Sequence, residues 1–323
     1  MGNPFDFLNP LVELEAKVSE LRQLGETTGL DMAREITSLE AKLQAETRRI
    51  FAGLSAWQRV LLSRHPLRPQ TSDYIDLMID DFVPLAGDRA FGDDGAIICG
   101  LGRLDDLDLM VIGQQKGKDV HERRRCNFGS PHPEGYRKAM LKMRLAEKFG
   151  LPVLTLINTP GAYPGVDAEE RGQSLAIAEN IRDMSALGVP VIVVVIGEGG
   201  SGGALGIGVG DRVLMLENSY YSVISPEGCA AILWRDGSLA PTAAEALKLT
   251  AQSLTSLGIA DEIIEEPAGG AHRRPAEMAA TLKAVVLRHL RELRGQPIAD
   301  LLDRRYAKLR RIGTVVEAQG AAC

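Results

Sequence analysis

Two short apolar runs, at residues 153–157 and 191–196, each lead directly into a glycine-rich stretch and then into a segment with helical spacing. A strand that passes through a flexible turn into a helix, and does so twice, restricts the chain to alternating β and α elements with parallel strands. Further strands are expected at 96–99, 108–112 and 213–216, with the segment 220–224 following. A helix is expected over 134–149, with apolar positions at Met140, Leu141 and Leu145 and Gly150 closing its end. Asp167 is the expected N-cap of a helix running to about residue 187.

The flanks have a different texture. Leu14, Val18 and Leu21, then Met32, Ile36, Leu39 and Leu43, keep helical spacing on either side of Gly25 and Gly29, which predicts a helical hairpin. Pro66 and Pro69 end that region, because neither can continue a helix. After Pro275 a charged helix of solvated character is expected. The chain therefore divides into a helical hairpin (1–65), an α/β domain (66–275) and a helical tail (276–323).

Composition excludes several function classes. A net charge of −6 and an aromatic content of 5% argue against a nucleic-acid partner. No apolar run approaches the length that crosses a bilayer, so no membrane partner is expected. The N-terminal residues lack the basic, apolar and small-residue succession of a signal peptide. Cys99, Cys126, Cys229 and Cys323 are scattered without a CxxC pair, which supports neither a metal site nor a disulfide framework. A cytoplasmic protein is expected.

Chemistry concentrates in the two glycine stretches. The segment 197–206 holds six glycines in ten residues, more than tight packing needs. Glycines there free the backbone N–H groups to converge on a phosphate or a developing oxyanion. Gly199, Ser201 and Gly203 also match G-x-S-x-G, the turn that presents a nucleophilic serine in hydrolases. A serine needs a base, and downstream only His272 and His289 are available, both in the basic tail. No Lys-Ser/Thr follows the glycines, so a Walker loop is excluded, and Glu217 makes only a weak dinucleotide fingerprint. The loop 159–165 repeats the theme with two prolines and two glycines.

Read together, Trp57-Gln-Arg, Arg64-His-Pro, Gly117 between Lys116 and Lys118, Asn127-Phe-Gly, the run 133–138, the loop 158–166, the run 168–173, the loop 197–204 and the run 221–229 resemble the bacterial acetyl-CoA carboxylase carboxyltransferase alpha subunit family. The resemblance runs in order from about Phe5 to Arg311. It implies a crotonase-like α/β fold, a spiral of β-β-α units. It also implies transfer of a carboxyl group from carboxybiotin, held on a separate biotin carboxyl carrier protein, to acetyl-CoA, giving malonyl-CoA for fatty acid synthesis. The implied assembly is an α2β2 heterotetramer in which a zinc-ribbon beta subunit carries the metal and shares the active site, with biotin carboxylase as a further partner.

By the same resemblance, backbone N–H groups of Gly202, Gly203 and Ala204 form the hole for the biotin ureido oxygen. Gly161, Ala162, Gly199 and Gly200 wall that site. The basic run 116–125 either meets coenzyme A phosphates or the partner, or is solvated surface. Three residues depart from the family pattern: Gln114 stands for His, Asn158 for Asp and Asp167 for Gly. The rival readings are a crotonase-fold serine hydrolase using Ser201 and a non-catalytic scaffold.

Overall fold

The computed structural model describes residues 3–313. Eight strands form one sheet: β1 (Asp80–Pro84), β2 (Ile97–Leu104), β3 (Leu107–Gln114), β4 (Val153–Thr159), β5 (Val191–Gly200), β6 (Arg212–Leu216), β7 (Tyr220–Ser222) and β8 (Glu262–Ile264). The order is β1-β2-β3-β4-β5-β6-β8, with β7 paired to the far end of β5. The first three strands are antiparallel and the rest parallel. Strands β4 and β5 are buried at every position, which is why they read as unbroken apolar runs.

Alternation still sorts their side chains to two cores. Val191, Val193 and Val195 face the helices Pro133–Lys148 and Gln173–Ser185, with Met140, Met143 and Ala176. Ile192, Val194 and Ile196 face the helices Thr71–Met78 and Pro275–Arg294.

The N-terminal hairpin forms from the helices Asn9–Thr28 and Ala33–Ala52. Its break is Gly29, left-handed at φ 70°, while Gly25 stays inside the first helix. Ser55 and Gln58 then close a capping box on the helix Ala56–Ser63, which carries the chain toward the sheet.

Three expectations need correction. Asp167 caps nothing. A short helix Val166–Glu170 starts from Gly165, and Gly172 at φ 80° breaks the chain before Gln173–Ser185 begins. The stretch 197–200 is strand rather than loop, because β7 pairs Glu198, Gly199 and Gly200 with Tyr220, Tyr221 and Ser222.

The tail after Pro275 is not solvated either. Met278, Leu282, Val286, Leu290 and Leu293 form a buried stripe in the second core. In the following helix, Ile298–Arg310, the Arg305 guanidinium is fully enclosed. It donates to both Asp211 oxygens at 2.8 and 2.7 Å, to the Met184 and Leu187 carbonyls at 2.8 Å each, and to the Val189 carbonyl at 2.9 Å.

Candidate active site

Parallel strands deliver their C-terminal ends to one edge, the usual place for a ligand in such sheets. Here β3 ends at Gln114, β4 at Asn158 and Thr159, and β5 at Glu198 to Gly200. Both glycine segments follow those ends and press backbone to backbone. A methyl group on Gly203 would lie 2.4 Å from the Ala162 nitrogen and 2.5 Å from the Gly161 carbonyl carbon. One on Gly200 would lie 2.2 Å from the Pro160 oxygen. Gly161 has φ 148°, which side chains rarely adopt. The structure thus brings together Gly161, Ala162, Gly200 and Gly203, and Gly199 sits against Tyr221 on the paired strand.

The turn from β5 into the five-residue helix Ser201–Leu205 is sharp, with Ser201 at φ 53°. The N–H groups of Gly202 and Gly203 fall in its first turn, where no carbonyl of the helix can reach them. Ala204 lies one position deeper, and because Ser201 breaks the helical path its N–H makes no bond back to the Gly200 carbonyl either. Its side chain is fully buried.

Two of the departures from the family pattern turn out to hold these loops. Buried Gln114 donates from Nε2 to the Gly203 carbonyl at 2.8 Å and accepts at Oε1 from the Asn158 N–H at 3.0 Å. Tyr136 Oη donates to the same Gly203 carbonyl at 3.1 Å. Asn158 Oδ1 in turn accepts from the Glu198 N–H at 3.2 Å. Asp167, the third departure, is an exposed side chain 3.4 Å from Arg171 and 3.6 Å from His132.

Beside the loops opens a cleft of about 710 Å³, lined by Arg64, Lys116, Arg123, Phe128, Glu198 and Glu227 among others. It shares Asn158, Pro160 and Glu198 with the glycine segments, while Gly202 and Gly203 lie beyond its wall. Glu198 is its centre. Its carboxylate meets Lys116 and accepts from Arg64 Nε at 2.6 Å and from Tyr220 Oη at 2.9 Å. Burial pushes this carboxyl up, but Lys116 and Arg64 outweigh burial and hold it down at about 2.

Arg64 also reaches Glu227 at 2.5 Å. Behind it Arg68 and Glu266 form a second enclosed pair at 2.5 Å. The expected basic run splits: Lys116 and Arg123 line the cleft, whereas Lys118 pairs with Asp73 at 2.5 Å on the surface. Asn127, Phe128 and Gly129 all have positive φ (49°, 55° and 87°), and this unusual backbone presents the exposed Phe128 ring to the cleft.

Sequence reasoning left the roles of Arg64, Glu198 and Glu227 unread. A signal existed in the single acidic residue placed among six glycines.

Ser201 is exposed and no hydrogen bond joins it to a histidine among the described residues. His65 and His272 stack on each other with ring centroids 4.1 Å apart. Burial and neighbouring cations push the His272 imidazole down to about 3. The arrangement contains backbone donors without a general base, so it suits oxyanion stabilisation rather than serine nucleophilic attack. Among the described residues, no group of three or more His, Cys, Asp or Glu could hold a metal ion, and no helix is long and apolar enough to cross a membrane.

The fold recurs in solved structures. The transcarboxylase 12S hexamer matches with a TM-score of 0.53 at 20% identity, over 68% of this chain and 42% of that one. A Pseudomonas malonate decarboxylase hetero-tetramer in complex with coenzyme A matches with a TM-score of 0.56 at 17% identity, over 68% of this chain and 91% of that one. The architecture is therefore crotonase-like.

A family model described as acetyl co-enzyme A carboxylase carboxyltransferase-like matches residues 4–313. The acetyl-coenzyme A carboxylase carboxyl transferase subunit alpha of Xanthomonas campestris pv. campestris (strain B100) is 56% identical over 311 residues, 96% of this chain and 98% of that protein. Its namesake from Stenotrophomonas maltophilia (strain K279a) is 54% identical over 312 residues, 97% of this chain and 98% of that protein. The chain belongs to the acetyl-CoA carboxylase carboxyltransferase alpha subunit family.

Proposed function

We propose that this chain is the half of a cytoplasmic acetyl-CoA carboxylase carboxyltransferase that binds the biotin side of the reaction. The carboxyl group passes from carboxybiotin to the methyl carbon of acetyl-CoA, and the methyl proton passes to the biotin nitrogen that the carboxyl group leaves. The observation that carries the reading is the glycine turn: Gly202 and Gly203 offer first-turn N–H groups with no helical acceptor, and bare backbone from Gly161 and Ala162 forms the opposite wall.

When bound, biotin supplies the carboxyl carrier and a ureido oxygen that gains negative charge as the carboxyl group departs. The chain's own task is to aim N–H donors at that charge, and one such donor is typically worth about 3 kcal/mol of barrier. Gly202, Gly203 and Ala204 are the donors. Gly161, Ala162, Gly199 and Gly200 keep side chains out of the space. No residue of this chain is assigned as a general base.

The second half of the site is assigned to a zinc-ribbon beta subunit in an α2β2 assembly, and the biotin arrives on its carrier protein. The helix Pro226–Trp234 supports this division, since its first turn supplies Glu227 to the cleft while its end carries Ile232, Leu233 and Trp234 into solvent. A helix apolar on nearly every side is normally enclosed. We assign that exposed tip to the subunit contact.

The test is biocytin-dependent decarboxylation of malonyl-CoA by this chain with and without the candidate beta subunit. Activity that needs both chains supports the reading. A well-formed complex without activity overturns it.

A further inference from the structure

The amide of Gln114 bonds to both segments of the site, the turn after β5 and the end of β4. Its two ends do opposite things. The Gly203 carbonyl can only accept and the Asn158 N–H can only donate, so the partners themselves fix which end of the amide is nitrogen. The side chain is fully buried, and water does not compete for either bond.

Gln114 sits at the end of β3 and grips the turn after β5 with one hand and the end of β4 with the other. Asn158, held at its backbone by Gln114, passes the grip on through Oδ1 to the Glu198 N–H. Tyr136 adds a second donor to the Gly203 carbonyl from the helix below. Three adjacent strand ends and the catalytic turn are thereby tied at fixed separations. The glycines make such a tie necessary, since the backbone freedom that opens the turn would otherwise let its N–H groups point elsewhere.

We infer that Gln114 is a positioning residue of carboxyl transfer, a clamp that fixes the Gly203–Ala204 peptide plane, and with it the aim of the Ala204 N–H and of the adjoining Gly202 and Gly203 N–H groups relative to the Gly161–Ala162 wall, with Tyr136 as its auxiliary. The inference rests on the oxyanion-hole reading above. Its logic is that an oxyanion donor displaced by a fraction of an ångström loses most of its effect on the transition state while substrate binding elsewhere is unchanged.

The experiment measures kcat and KM for biocytin and malonyl-CoA in the assembled alpha–beta enzyme, from pH 6 to 9, for wild type, Gln114→Leu, Gln114→Glu and Tyr136→Phe. Leucine removes both bonds, and kcat is expected to fall at least ~10-fold with KM within about twofold, the pattern of an interaction realised in the transition state.

Glutamate is the discriminating variant. Its neutral acid reproduces both bonds, donating to the Gly203 carbonyl and accepting from Asn158 N–H. Its carboxylate cannot donate and sets an anion against the carbonyl. Burial raises the carboxyl's titration above the ordinary range, so activity is present below that point and lost as pH rises through it. Gln114→Glu therefore approaches wild type at the acid end and falls away toward pH 9, a profile that wild type lacks. Tyr136→Phe leaves one donor in place and loses less than Gln114→Leu.

Co-elution of the two subunits at both ends of the pH range checks that the variants are folded. Where Gln114→Leu fails to assemble, the pH profile of Gln114→Glu decides. Gln114 variants indistinguishable from wild type at every pH overturn the clamp alone. An assembled wild type without transfer overturns the oxyanion-hole reading and the clamp with it.

Discussion

Adjacent glycines in the turn should behave very differently when each acquires a methyl group. At Gly203 that carbon falls 2.4 Å from the Ala162 nitrogen, 2.5 Å from the Gly161 carbonyl carbon and 2.9 Å from its Cα, all backbone atoms that cannot rotate aside. Ordinary contact distances are about 3.5–4 Å, so the overlap is roughly 1 Å and the loops must separate. Overpacking of this kind costs about 1–3 kcal/mol. In a chain of this size that lowers the melting temperature by roughly 1.5–4.5 °C.

Separation also moves the N–H donors off their target, and transfer should fall by about 10²–10³. At Gly202 the same methyl group meets only Ile177 side-chain carbons at 3.8 Å, an ordinary contact. Gly202→Ala should therefore melt within about 0.5 kcal/mol of wild type. The assay pairs thermal melting with biocytin-dependent decarboxylation for both variants. Equal melting of the two, with transfer retained in Gly203→Ala, would refute the close packing of the loops.

Three further outcomes are expected. Ser201→Ala should keep most of the transfer activity, and Ser201→Gly should melt higher because φ 53° is a left-handed conformation costing a serine about 1–2 kcal/mol; loss of nearly all turnover in Ser201→Ala would revive a nucleophilic serine. Glu198→Gln should destabilise by roughly 2–3 kcal/mol in urea titration, less than a wholly enclosed pair because Arg64 and Lys116 keep some solvent contact. The folded-state depression of Glu198 from 4.5 to about 2 means its stabilisation is present above pH 4.5 and lost as pH falls toward 2, so Glu198→Gln should also flatten the acid limb of the stability profile over that window. Leu233→Asp should leave the melting temperature of the isolated chain unchanged yet weaken beta-subunit association in gel filtration; full assembly would remove the tip from the interface.

Much of the fold was legible because β4 and β5 are buried on both faces and leave unbroken apolar runs in the sequence. What stayed hidden depended on partners far along the chain. Nothing near Glu198 announces that it continues a strand, since that is decided by Tyr220–Ser222. Asp167 is a good cap in isolation, and the left-handed Gly172 a few residues later settles the helix start instead. The tail was misread although its stripe was visible, as Met278, Leu282, Val286, Leu290 and Leu293 keep helical spacing beneath a coat of Arg and Glu.

For the site, glycine content identified both loops. It gave no hint of the cleft, whose Arg64, Lys116 and Glu198 are scattered in sequence, Arg64 and Glu198 being 134 positions apart. The roles of Gln114 and Asn158 were invisible for the same reason, because a hydrogen bond between loops has no local signature.

The enclosed Arg305 imposes an order on biosynthesis. It enters the growing polypeptide 121 residues after Met184 and 94 after Asp211, the groups it must join. Until it emerges, water must take its place on the Asp211 carboxylate, which the Val191 N–H alone only partly satisfies, and on the carbonyls of Leu187 and Val189, so this flank of the parallel sheet cannot fully dry. Pairing across such distances is slow to nucleate. A nascent chain should therefore hold its strands while leaving this flank open to proteases, and seal only when the helix Ile298–Arg310 clears the ribosome.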